Sequence, residues 1–168
     1  MRIKWFSLIR ITGLLLVLLY HFFQTIFPGG FFGVDVFFTF SGFLITALLI
    51  EEFSKNHEID LIGFFRRRFY RIVPPVVLMV LVTMPFTFLV RQDYVAGIGG
   101  QIAGVLGFMT NFYEMLTGGS YESQFIPHLF VHNWSLAVEV HYYVLWGLAV
   151  WLISKQAKTG GQLRGMVF

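Results

Sequence analysis

Four ionisable side chains, His21, Asp35, Glu139 and His141, stand inside stretches of this sequence that are otherwise almost free of charge. A titratable group in such a setting is unfavourable in lipid, so each is a candidate for chemistry. The plain alternative is a polar side chain near the interface, satisfied by a neighbour or by water. Arg10 and His21 are eleven positions apart. Eleven helical steps of about 100° return to within about 20° of the same face while rising about 16 Å, so the two can line one vertical groove. A permanent cation would sit at one end of it and, at the other, an imidazole that exchanges protons near neutral pH. An arginine anchor with an incidental histidine satisfies the same spacing.

Arg68 and Arg71 are three positions apart, with Arg67 one step away, and on a helix the pair would share a face. Guanidinium forks fit phosphate oxygens, although basic clusters beside a membrane span also serve topology and contact with anionic lipid. Ser135 and Glu139, four apart, put a hydroxyl within one helical turn of a carboxylate, a spacing that simple hydrogen-bonded structure explains too. Asn133 is placed to cap the helix that carries them, and Trp134 to anchor it at the interface. His128 and His132 repeat the spacing of four, but two histidines without a third ligand are weak evidence for a metal, and none is expected. With no cysteine in the chain, thiolate nucleophiles, thiolate metal ligands and disulfides are excluded.

These groups need a scaffold, and composition says of what kind. Hydrophobic residues make up 57% of the 168 and charged residues 12%, about half the charged fraction usual in a soluble domain. The 21 phenylalanines could not be hidden in a water-soluble core of this size without leaving a large apolar exterior. A soluble enzyme and a free nucleic-acid-binding module are both excluded. The net charge of +3 is too small and too scattered for a nucleic-acid surface. The fold class is therefore all-α, a polytopic helical bundle in a lipid bilayer, with four or five spans.

The first span is expected over Ile11 to Phe27, which lacks formal charge and follows Arg2, Lys4 and Arg10. No small-residue cleavage site follows it, so it reads as a span and not as a removed leader. Pro28-Gly29-Gly30 marks a turn, and Phe31 to Ile50 is long enough to cross again. Glu51 to Arg71 reads as a polar loop with five basic residues, Lys55, Arg66, Arg67, Arg68 and Arg71, which marks the cytoplasmic side and places the N-terminus there too. A third span, Ile72 to Val90, carries Pro74, Pro75 and Pro85 and is expected to be kinked or to start late. A last span, Trp134 to Ser154, precedes Lys155, Lys158 and Arg164, which puts its C-terminal end inside. Between these, Tyr94 to Phe112 is apolar and glycine-rich, and the Tyr113–Asn133 loop has neither Lys nor Arg. A full crossing by 94–112 would put the basic tail outside, so a re-entrant or interfacial segment is favoured, with a fifth span as the alternative.

Four motifs, in order, resemble the acyltransferase type 3 family of integral membrane O-acyltransferases. They are Arg10 with Tyr20-His21-Phe22; Gly29 to Phe38 (GGFFGVDVFF) with Ser41 to Ile45; Phe65 to Pro74 (FRRRFYRIVP); and His132 to Glu139 (HNWSLAVE). Within that family the chain looks most like the membrane part of the Gram-positive peptidoglycan O-acetyltransferases. The resemblance covers roughly residues 5 to 150.

The resemblance implies a cell-membrane, multi-pass enzyme that passes acetyl groups from cytoplasmic acetyl-CoA, the acyl donor, to an extracytoplasmic carbohydrate acceptor such as peptidoglycan. No tightly held cofactor is implied. It assigns Arg10 and His21 to an Arg-to-His motif, His21 being general base or transient acyl carrier. Arg68 and Arg71, with Arg67, would hold donor phosphates. Ser135 and Glu139 join the catalytic set, with Asp35 and Trp134 as structural members of their motifs. Ser7 stands where the family usually has an acidic residue, so any carboxylate-to-Arg10 pairing in that turn is absent. The family's membrane domain has about ten helices. The resemblance thus makes residues 1–154 the N-terminal part of such a domain and 155–168 a cytoplasmic tail or a truncation point, with a separate chain or a C-terminal half completing the bundle. Alternatives are a carrier or channel that moves a solute past Arg10, His21 and Asp35 without covalent chemistry, and an inactive remnant.

Overall fold

In hydrocarbon a backbone N–H or C=O finds no water, so apolar runs of this length must satisfy themselves as helices. The computed structural model of the chain describes residues 4–87, 89, 97–117 and 128–160, and every regular element among them is helical. They are α1 (Lys4–Phe22), α2 (Gly33–Asn56), α3 (Leu61–Thr87), α4 (Ile98–Leu106), α5 (Thr110–Thr117) and α6 (Trp134–Gly160), with 3-10 turns at Pro28–Phe32 and Val131–Asn133. Three segments, Pro28–Asn56, Leu61–Thr87 and Val131–Gln156, are long and apolar enough to cross a membrane, and α1 carries a shorter apolar stretch, Leu8–Phe22. The protein is a membrane helical bundle in two compact units, Met1–Lys55 and Asn56–Phe168.

In the first unit, α1 ends at Phe22, five residues before the end expected at Phe27. The chain turns at once, with the Phe27 N–H donating to the Phe23 carbonyl at 2.8 Å. What the early turn achieves is close docking on α1. A Cβ on Gly30 would run into the Leu16 carbonyl and Tyr20, and one on Gly33 would stand 2.6 Å from the Gly13 carbonyl. Gly13 in turn faces the Phe37 ring. Small residues let the two backbones meet, the contact that replaces hydrophobic driving force between helices in lipid. Leu8, Ile11, Leu14, Leu15, Leu18 and Phe22 of α1 remain exposed, a lipid-compatible exterior.

The stretch Glu51–Arg71 is not the loop its charges suggested. Glu51 and Lys55, one turn apart, pair at 2.6 Å and carry α2 through to Asn56. Asp60 then starts α3 by accepting the Gly63 N–H at 2.9 Å. Only residues 57–60 lie between the helices, and the arginine cluster occupies the opening turns of α3. Nor does α3 start late: it runs through Pro74, Pro75 and Pro85. Each proline withdraws an N–H, so the carbonyls of Tyr70, Arg71 and Leu81 lose their usual helical donors.

From Gly97 on, the glycine-rich stretch forms two short helices, while residues 94–96 of the expected segment lie outside the described residues. Gly97 (φ 67°) precedes α4, and Gly107 with Phe108 (φ 53°) ends it before α5 begins. At about 1.5 Å per residue, α4 and α5 reach roughly 14 and 12 Å, and neither crosses a bilayer. Tyr113 lies back along α4 against Gly100 and Gly104, its hydroxyl 3.4 Å from the Gly97 carbonyl. A single straight helix over these residues is thereby excluded, and Tyr113–Thr117 belongs to α5, not to the loop expected there. Val76 and Val80 of α3, Val105 of α4 and Phe130 form the core of this second unit, with Met79, Ile102 and Leu136 packed around it.

Candidate functional site

Within the first unit, α1 is unbroken from Arg10 to His21, as the spacing required. His21 occupies the last turn, and its Nδ1 lies 2.7 Å from the Val17 carbonyl oxygen. A carbonyl only accepts, so Nδ1 carries the proton and, in the neutral ring, the lone pair is on Nε2. The Tyr20 ring meets the imidazole edge-on at 5.6 Å and also packs against Phe31 of the turn. Arg10 lies over the Phe40 ring at 5.2 Å, a cation held by an aromatic face on α2. Asp35, in the first turn of α2, is exposed and joins Ile9, Phe32, Thr39, Phe40 and Phe43 in lining an open, largely apolar groove of about 620 Å³.

In the second unit, α3 and α6 pack antiparallel: Phe64 sits against Gly147, where a Cβ would be 3.0 Å from its ring, and one turn on Arg68 meets Tyr143. The Arg68 guanidinium is 5.7 Å from the Phe64 ring centroid and 5.9 Å from that of Tyr143. Tyr143 in turn donates its hydroxyl to Glu139 Oε1. A residue of the arginine cluster is thus connected, through one tyrosine, to the carboxylate of the Trp134–Glu139 motif. Arg71 is exposed, and Arg67 reaches over Gly63 beside Asp60.

Not every expected pairing forms. Ser135 and Glu139 do not meet, because Ser135 Oγ donates to the His132 carbonyl at 3.3 Å, within the tight turn before α6, while Glu139 is engaged by Tyr143. The Asn133 amide donates back to Phe130 O at 3.3 Å instead of capping α6, whose start is set by the 3-10 turn Val131–Asn133 running straight into Trp134. His141 packs against Phe112 at 5.5 Å, and His128 Nδ1 bonds Glu114 Oε2 at 2.6 Å.

Residue-by-residue reading missed Tyr143, Phe64 and Glu114. Two of them had a signal: Tyr143 is four after Glu139 and Phe64 four before Arg68, the spacing of helical neighbours.

The model of the family described as "Acyltransferase domain" matches residues 3–160. The O-acetyltransferase OatA of Staphylococcus aureus (strain NCTC 8325 / PS 47) is 32% identical over 142 residues, 84% of this chain and 24% of that protein. The peptidoglycan O-acetyltransferase OatA of Listeria monocytogenes is 31% identical over 139 residues, 82% of this chain and 22% of that protein. The chain therefore spans about a quarter of the length of these curated relatives. No solved structure matches it. With the matched region running from the first helix to the last and holding every residue described above, the chain belongs to the acyltransferase type 3 family of membrane proteins.

Proposed function

We propose that the protein is a membrane-bound O-acyltransferase that takes acetyl groups from acetyl-CoA on the cytoplasmic side and delivers them to a carbohydrate hydroxyl outside, with peptidoglycan as acceptor. The family match over residues 3–160, which includes Arg10, His21, the arginine cluster and Glu139, is the observation that carries this reading. The likeness to the Listeria peptidoglycan O-acetyltransferase supports peptidoglycan as the acceptor.

His21 is then the base or acyl carrier. With Nδ1 committed to Val17, its Nε2 takes the proton of the attacking hydroxyl; the hydroxyl oxygen bonds to the acyl carbon, and the carbon–sulfur bond breaks to release the CoA thiolate. As carrier, Nε2 itself bonds to the acyl carbon as the carbon–sulfur bond breaks and the CoA thiolate leaves; the acceptor hydroxyl oxygen then bonds to the acyl carbon, the carbon–nitrogen bond breaks, and the freed Nε2 takes the hydroxyl proton. Arg71, Arg68 and Arg67 hold the phosphates of the donor. Arg68, fixed between two aromatic rings, keeps its fork in one orientation, while exposed Arg71 closes on the anion. Tyr143 holds Glu139 and Arg68 in a common arrangement.

The test is acetyl transfer from labelled acetyl-CoA to glycan by membranes carrying the complete protein, with Arg68→Lys plus Arg71→Lys beside the parent. Lysine keeps the charge and loses the bidentate fork. A tenfold or larger rise in KM for acetyl-CoA is expected. Full retention of transfer by the double variant would reduce the cluster to a lipid anchor, and no acetyl-CoA-dependent ester in the parent would remove the enzymatic reading.

A further inference from the structure

Where α3 begins and α6 nears its end, the second unit has a small cavity. His57 is seven residues before Phe64 and Ser154 seven after Gly147, so the antiparallel register of the Phe64–Gly147 contact carries on into the connection at 57–60. His57, Glu58 and Ile59 of that connection and Trp151, Ser154 and Lys155 of α6 line about 210 Å³ there. A cavity of about 150 Å³ takes a benzene ring, and whole drug-sized ligands need about 300–1,000 Å³. This one suits a single ring system at one end of a longer molecule.

The lining selects the ring. Trp151 supplies an aromatic face, with the Lys155 ammonium 4.8 Å from its ring centroid. Ser154 is only 7% exposed, and its hydroxyl donates to the Trp151 carbonyl at 2.7 Å. That hydrogen is committed, so toward a ligand Ser154 Oγ only accepts. An ionised Glu58 carboxylate also only accepts, and Lys155 only donates. A phosphate alone carries nothing but acceptors and would meet two more in this lining. Adenine offers amino N–H donors and ring-nitrogen acceptors on its edges and a face that stacks on an aromatic side chain.

Phosphate-binding groups stand beside the cavity. Arg68 is seven residues into α3 from Leu61, about 10 Å along the axis, and Arg67 reaches back over Gly63 beside Asp60, the neighbour of Ile59. A base in the cavity and phosphates on the arginines are within the reach of one nucleotide.

We infer that Glu58, Trp151, Ser154 and Lys155 form the seat of the adenine ring of acetyl-CoA. This rests on the acyltransferase reading for the identity of the donor, and it adds where the base is held and what makes the donor a nucleotide. None of the four residues belongs to the motifs that carry the family resemblance. The base stacks on Trp151, and Glu58 and Ser154 Oγ accept from its amino group. The flexible stem of Lys155 swings from the indole to the phosphate on the ribose.

The test uses the complete protein in nanodiscs, with labelled adenosine 3′,5′-bisphosphate, the nucleotide end of coenzyme A, as probe. The variants are Trp151→Leu, Lys155→Met and Trp151→Phe, which keeps an aromatic face. The parent should bind saturably, with affinity lowered about tenfold or more in Trp151→Leu and Lys155→Met and largely retained in Trp151→Phe. In transfer assays the first two variants should also lose, by a similar factor, the preference in kcat/KM for acetyl-CoA over S-acetyl-phosphopantetheine, which lacks the nucleotide. A merely structural role lowers both donors together and leaves that ratio unchanged. No binding by the parent, unchanged binding in Trp151→Leu and Lys155→Met, an equal loss in Trp151→Phe or an unchanged ratio overturns the inference. So does a Lys155→Met variant that keeps the nucleotide but loses bound phosphatidylglycerol by native mass spectrometry, which makes the cavity a lipid headgroup site. A parent that binds the nucleotide but transfers no acetyl group overturns the acyltransferase reading and leaves the nucleotide site standing.

Discussion

Arg68 of α3 lies over the ring of Tyr143 of α6 at 5.9 Å, and the same tyrosine donates its hydroxyl to Glu139. Two stretches of chain more than sixty residues apart, each with a charged group suited to chemistry, are therefore linked through one side chain that is only 8% exposed, one turn from the contact of Phe64 with Gly147.

Tyr143 separates ring from hydroxyl in a simple pair of variants. Tyr143→Phe keeps the face on which Arg68 rests and leaves Glu139 without its phenol, a charged-group hydrogen bond of about 1.5–3 kcal/mol. A fall in turnover of roughly tenfold or more is expected, with KM for acetyl-CoA little changed. Tyr143→Leu also removes the cation–π contact, about 0.5–2 kcal/mol, and should raise that KM as well. Equal kinetics for the two variants would show that the ring contributes nothing to Arg68.

Adjacent glycines at the α1–α2 turn predict opposite outcomes. A Cβ on Gly30 collides with the Leu16 carbonyl and Tyr20, whereas one on Gly29 meets nothing within 4 Å. Gly30→Ala should destabilise the hairpin by about 1–3 kcal/mol, as forced overpacking does, and lower the amount of inserted protein. Gly29→Ala should behave like the parent. Thermal unfolding in detergent compares them directly; similar melting points for both variants would refute the close docking.

How much of this was legible beforehand differs by element. The long spans could be read because lipid forces apolar runs into helices, and the Arg10–His21 spacing could be read because both fall on one of them. The polar stretch misled: its charges look like a loop, yet Glu51–Lys55 and the Asp60 cap are local helix signals, and they prevailed. Pro74 and Pro75 suggested that the third span is kinked or starts late; the helix begins at Leu61 and carries both prolines in its interior, so it does not start late. Ser135 and Glu139 had the right spacing and still did not pair, since each had a nearer partner in the turn or on the helix. The break at Phe108 had only the neighbouring glycines to announce it, because a phenylalanine at φ 53° has no sequence signature. The Glu114–His128 pair joins residues fourteen apart across a fold, beyond the reach of helical periodicity.

Orientation is tested at the end of α2. Lys55 is exposed in the last turn of α2 and, with the arginine cluster in the opening turns of α3, makes up the five basic residues at this end of the two helices, which the positive-inside rule assigns to the cytoplasm. These 168 residues contain no cysteine, so a Lys55→Cys variant introduces the only thiol among them. Protection from an impermeant maleimide in intact cells, and labelling after permeabilisation, are expected. Labelling from outside intact cells would invert the topology and move the arginine cluster away from cytoplasmic acetyl-CoA.

His21→Ala is the most direct test of chemistry, because the structure separates the side chain's role from the helix's stability. The imidazole bonds the Val17 carbonyl, but that carbonyl is also the helical acceptor for the His21 backbone N–H, which alanine retains. Removing the ring therefore leaves the Val17 carbonyl with its helical donor. Alanine is at least as easily accommodated in lipid as histidine, so insertion should be unaffected. Loss of a general base or acyl carrier should lower turnover by a factor of about 100 or more. A histidine needed only for packing against Tyr20 would behave differently, with protein abundance and activity falling together. Activity is accordingly measured per inserted molecule. If His21→Ala retains acetylation within a few-fold of the parent on that scale, the imidazole takes no part in the transfer, and the carrier or channel reading of Arg10, His21 and Asp35 becomes the better account.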